Sequence, residues 1–133
     1  MRSEDDRSQA RERALTLLYE AQSKGITPGE ALDSLPVRPD ELTTRIVRGV
    51  DERHERFDAL IATHSKNWTI DRMPVLDVSI LRIAIYELVC ETDTPTAVII
   101  NEAVELAKRF STDDSSRFVN GVLSAVSSVV RSA

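Results

Sequence analysis

Cysteine occurs once in this chain of 133 residues, as Cys90 inside an apolar run. A single thiol excludes an internal disulfide and a cysteine-rich metal site, and leaves Cys90 as a small buried packer. Glycine is scarce too: residues 25, 29, 49 and 121 are too scattered to build a phosphate-cradling loop. No run of about 18 apolar residues exists, and the opening MRSEDDRSQARER is polar, so neither a membrane span nor a signal peptide is expected. The expected location is cytoplasmic. The two histidines, His54 and His64, have no HExxH spacing and no cysteine partner. Serines lack a histidine at any suggestive spacing, and acidic pairs such as Asp113-Asp114 read as helix caps. These absences predict a binding protein, not an enzyme, with neither metal nor cofactor.

Lysine is the last scarcity. Three lysines stand against fourteen arginines, and the net charge is −5 with a pI near 5.1. An acidic chain does not bind phosphate backbones or anionic lipid indiscriminately, so any nucleic-acid site must be a local basic patch. Arginine recognises phosphate and stacks on bases, but GC-rich codon usage produces the same bias and is the simpler explanation.

What the chain does contain is helical periodicity. Ala10, Ala14, Leu17, Leu18 and Ala21 recur at 3.6-residue spacing before Lys24-Gly25, predicting a helix over 6–24. Pro28 opens a short helix, and 40–66 reads as a long helix broken or bent near Gly49. After the loop NWTIDRMP comes VLDVSILRIAIYELVC, apolar on nearly every side and so the expected central helix. ETDTP breaks the chain, with Pro95 expected in the first turn of the next helix, TAVIINEAVELAKRF. STDDSS then caps a last helix carrying Val119, Val122, Leu123, Val126 and Val130. No convincing strand remains. The expectation is an all-α fold of six or seven helices, forming a single domain over 1–133.

Three features are candidates for binding. Arg7, Arg11 and Tyr19 line one flank of the first helix and, with Arg13, are either RNA contacts or its solvated rim. Phe118 stacks a base or belongs to the core. Asp77 and Arg82, on an apolar helix, meet a partner or satisfy their own neighbourhood. Gly121, in FVNGVL, costs helix propensity, and a close approach of another helix would explain it, with Asn120 bonding across the contact.

The stretches LLYEAQ (17–22), VLDVSILRIAIYEL (75–88), INEAVELAKRF (100–110) and DSSRFVNGVL (114–123), in this order and spacing, resemble the NusB transcription antitermination family. The resemblance covers nearly the whole chain. It implies two small packed helical bundles that bind the ribosomal protein NusE, recognise boxA RNA in ribosomal RNA transcripts and act on RNA polymerase against termination. Carried over by position, it implies RNA contacts at Arg7, Arg11, Tyr19 and Phe118, with Arg13 in support, and NusE contacts at Asp77 and Asp114. The arginines and Phe118 are thereby expected to form one exposed face. Strong family motifs have consecutive basic residues near the start, whereas here Glu4, Asp5 and Asp6 precede Arg7 and Ser8-Gln9 follow it. Weak intrinsic RNA affinity, reliant on NusE, is the expected consequence. The alternative is a self-associating module whose homodimer masks the RNA surface.

Overall fold

The computed structural model describes residues 4–66 and 68–131; Asn67, in the expected loop, lies outside them. Six α-helices follow in order: α1 (Glu4–Lys24), α2 (Pro28–Asp33), α3 (Glu41–His64), α4 (Val75–Cys90), α5 (Thr96–Phe110) and α6 (Asp113–Val130). A 3₁₀ turn at Ile70–Arg72 precedes α4, and no strand occurs among the described residues. Helices α1 to α3 pack as one bundle and α4 to α6 as another, with α4 set against both α1 and α3. The all-α, two-bundle expectation is met.

Local chemistry fixes the helix ends. Glu4, Asp5 and Asp6 occupy the first turn of α1, where the helix dipole favours negative charge. At its other end Gly25 takes φ +66, and the amides of Gly25 and Ile26 bond back to Gln22 and Ala21, closing the turn as a glycine can without steric cost. Thr27 and Glu30 form a reciprocal capping box around Pro28 at the start of α2. Asp40 caps α3 through the Thr43 amide, and Thr112 caps α6 through the Ser115 amide. Pro95 differs from expectation: it stands just outside α5 as its N-cap residue.

Two expectations about glycine are corrected. Helix α3 does bend, but at Arg53 (φ −118, ψ 17) and not at Gly49. Beside that bend, His54 Nδ1 lies 2.9 Å from the Asp51 carbonyl, within hydrogen-bond distance. Gly49 serves packing instead: a Cβ there would overlap the edge of the Tyr86 ring, so its bareness lets α4 lie close to α3. Gly121 has the reverse surroundings. Nothing lies within 4 Å of where its Cβ would be, so no helix approaches closely there, and Asn120 is exposed.

Helix α4 is the shared wall of both bundles, which is why it is apolar all round; Ile80, Leu81, Ile83, Ile85 and Leu88 are all fully buried. Its C-terminal carbonyls are held from outside the helix. Arg131, at the end of α6, donates to the carbonyls of Glu87, Leu88, Glu91 and Thr94 and to the Thr96 hydroxyl. One guanidinium thereby joins carbonyls of the last turn of α4, where Glu87 also accepts from the Glu91 amide, to those of the loop that follows.

Candidate nucleic-acid and partner interface

Of the residues expected to touch RNA, Arg11 departs furthest from expectation. It is 1% exposed, and its Nε and Nη2 donate to the Glu87 carboxylate at 2.9 to 3.1 Å. The remaining nitrogen, Nη1, makes no hydrogen bond and faces Glu102 at 3.8 Å and Glu4 at 3.9 Å. Burial pushes the Glu87 carboxyl above its usual range, and Arg11 opposes that shift. Arg11 therefore ties α1 to α4 from the inside. Its expected place on an exposed flank is corrected, because Ala10 and Ala14 beside it are completely buried and carry it inward.

The other arginines of the flank diverge. Arg7 donates to Thr94 Oγ1 at 2.9 Å, beyond the C-terminal end of α4. Arg13 turns toward α3, where it pairs with Asp40. Phe118 lies by Pro74, at the opposite end of α4 from Arg7. Since the 16 residues of α4 span roughly 24 Å at 1.5 Å per residue, the arginines and Phe118 do not form one compact face.

Tyr19 is 48% exposed. Ser8, Glu12 and Tyr19 share a stripe on α1, and the first two reach α5: Ser8 donates to Glu102 and Arg109 to Glu12. The stripe follows the α1–α5 seam toward the end of α4 where Phe118 lies, since Gln22 borders a pocket with Val75 and Val78. On that seam the Arg109 guanidinium sits 4.9 Å over the Phe110 ring. Neither residue was singled out from the sequence, and Phe110 is 39% exposed.

Phe118 is half-buried and meets Trp68 with ring centroids 6.1 Å apart at a 42° tilt. The two rings border an open cleft of about 350 Å³ whose lining also includes Asp77, Asp114 and Ser115. Asp77 is buried: its carboxylate accepts from Ser111 Oγ and Ser115 Oγ, each at 2.8 Å. Asp114 is open to solvent and pairs with Arg117 one turn along. The two expected partner contacts thus border one cleft, with Trp68 a further member. Sequence reading gave Trp68 no role, since an irregular loop has no periodicity to say which way a ring points. Arg82 satisfies its own neighbourhood through two 2.8 Å bonds to Asp58.

Among the described residues no group of three or more His, Cys, Asp or Glu could hold a metal ion, and no helix is long and apolar enough to cross a membrane.

A model of the NusB family matches residues 8–128. Among solved structures, NusB of T. maritima is 31% identical over 91% of this chain and 89% of its own, with a TM-score of 0.80. NusB from Aquifex aeolicus, solved in solution, is 27% identical over 96% of this chain and 92% of its own, with a TM-score of 0.75. A crystal structure of the antitermination factors NusB and NusE in complex with dsRNA matches at 26% identity over 92% of this chain and 96% of the matched chain, with a TM-score of 0.78.

Proposed function

Because the chain belongs to the NusB family, we propose that it is a non-enzymatic transcription antitermination factor. In this reading it joins NusE, binds boxA RNA of ribosomal RNA transcripts in the cytoplasm, and helps RNA polymerase resist termination. The observation that carries the reading is the match along nearly the whole chain to a relative solved with NusE and double-stranded RNA.

The geometry supports a revised set of contacts. Arg7, Tyr19 and Phe118 offer one accessible cation and two rings, spread from one end of α4 to the other. Such a spread suits an extended single strand, whose unstacked bases seek aromatic faces while phosphates seek guanidinium groups. Arg13 stands off this path and supplies at most long-range attraction. Arg11 contributes by holding α1 against α4. Asp77 and Asp114, at the Phe118 end, serve the protein partner.

Size-exclusion chromatography with light scattering tests the reading. The chain, NusE and boxA RNA should co-elute as one species with one copy of each. A mass of two chains that persists when NusE and RNA are added would favour the self-associating alternative.

A further inference from the structure

Of the buried polar side chains on α4, Asp77, Tyr86 and Glu87 are hydrogen-bonded, and Ser79 has no partner among the described residues. Ser79 is only 4% exposed. Among the described residues Arg11 Nη1 is the one sealed side-chain atom without a hydrogen bond, so the Ser79 hydroxyl opens into the two cavities it lines. These cavities, of about 180 and 260 Å³, adjoin at Gln22, Ser79 and Arg82, where α1 meets α4. Together they reach the size of a small-molecule site, which begins at about 300 Å³.

The three shared residues bring unused bonding capacity to one place. Arg82 spends Nε and Nη2 on Asp58 and keeps Nη1 free of side-chain partners among the described residues. The exposed Gln22 carboxamide makes no hydrogen bond among the described residues, and it can donate and accept at once. Around this polar middle the walls are apolar, with Leu18, Ala21 and Val50 in one cavity and Met73 and Val78 in the other. Apart from His54, the charged groups of the two linings are Arg82, already paired with Asp58, and the carboxylates Asp51 and Asp71. Such a lining disfavours phosphate.

The occupant that fits is neutral, flat and edged with donors and acceptors, which describes a nucleobase. A glutamine carboxamide pairs with base edges, and an unstacked base gives its faces to apolar or aromatic walls. Position agrees with chemistry. Gln22 lies one turn beyond the exposed Tyr19 ring on the same face of α1, so a strand stacked on Tyr19 would pass the rim of the groove.

We infer that the groove bounded by Gln22, Ser79 and Arg82 receives a single nucleobase, either an unstacked base of RNA or that of a free nucleoside. With RNA as the source the inference rests on the functional reading above; with a free nucleoside it stands apart from it.

The test is NMR of the isotope-labelled chain, titrated separately with adenosine, guanosine, cytidine and uridine, with NusE alone, and with boxA RNA in the presence of NusE. Gln22 and Ser79 amide signals report on the groove, and the Tyr19 and Phe118 rings report on the strand. The expected result is a saturable shift of both groove signals with at least one nucleoside and with RNA. Ser79→Leu, which fills the groove, should abolish nucleoside binding, and Gln22→Ala should weaken it by about threefold or more. Should Ser79→Leu prove unfolded by circular dichroism, Gln22→Ala carries the test, because that side chain is exposed. Groove shifts with RNA but with no nucleoside assign the base to the strand; the reverse assigns it to a free nucleoside. If RNA shifts the two rings while the groove stays silent to RNA and to every nucleoside, the groove is refuted and the functional reading survives. RNA that moves neither rings nor groove overturns the functional reading, and the nucleosides still decide the site. Groove shifts from NusE alone, with no response to nucleosides or RNA, would put a protein segment there and overturn the inference.

Discussion

Arg11 and Glu87 face each other across the α1–α4 contact in a buried ion pair whose Arg11 Nε reaches Glu87 Oε2 at 2.9 Å. This relationship moves Arg11 from the RNA surface to the framework that supports it. Removing one partner of such a pair leaves the other charged and unpaired in the interior. Arg11→Ala should therefore destabilise the protein by about 3–5 kcal/mol, seen as a lower urea midpoint. The double variant Arg11→Met/Glu87→Leu should recover most of that loss. An Arg11→Ala protein of unchanged stability that no longer captured RNA would instead restore Arg11 to the binding surface.

Gly49 and Gly121 make opposite predictions for one substitution. Gly49→Ala forces a Cβ into the Tyr86 ring and should cost about 1–3 kcal/mol through overpacking. Gly121→Ala meets nothing within 4 Å and should gain about 0.5–1 kcal/mol from helix propensity alone. Thermal unfolding of the two variants side by side settles both signs. Equal effects at the two positions would contradict the packing described here.

Acid stability should depend on Glu91. Burial raises the Glu91 carboxyl, but hydrogen bonds from Arg45 and Tyr86 outweigh it, so the net position is below the usual range. A carboxyl depressed in the folded state stabilises above its unfolded pKa of about 4.3, and that contribution disappears as pH falls through the lower folded value. Glu91→Gln should therefore lower stability near neutrality and flatten its fall below about pH 4.3. Urea midpoints measured across that range check the slope, and an unaltered acid limb would contradict the assignment.

Arg131 supplies a fourth test. Replacing it with alanine removes donors to four carbonyls around the end of α4. A charge-assisted hydrogen bond contributes about 1.5–3 kcal/mol, so Arg131→Ala should lower stability by at least that much. Hydrogen exchange should show faster opening in the segment joining α4 to α5. Protection unchanged there would mean the carbonyls find other partners.

Much of the fold was legible because burial imposes period. The stripes of α1, α5 and α6 and the all-round apolarity of α4 each state which surface must be covered, and the caps at Thr27, Asp40 and Thr112 lie where side-chain oxygens meet orphan amides. The site was less legible. Arg11 was placed on an exposed flank, as RNA contact or solvated rim, because charged residues beside an apolar stripe usually face solvent. The contrary signal was Glu87: a carboxylate amid the apolar second half of α4 needs a donor from another element, and Arg11 lies beside the buried Ala10 and Ala14. Gly49 and Gly121 look alike in sequence, since only tertiary contact distinguishes a glycine pressed by a ring from one facing solvent. Trp68 sits in an irregular loop, where no periodicity orients a side chain.

The most direct test of the account is a titration of labelled boxA RNA with the chain and NusE together, comparing wild type with Tyr19→Ala and Phe118→Ala at two salt concentrations. Stacking of a base on an aromatic ring contributes about 1–3 kcal/mol, so each variant should weaken capture by roughly fivefold or more at both salts while circular dichroism stays native. Capture by both variants at wild-type strength would contradict the assignment of these rings to RNA.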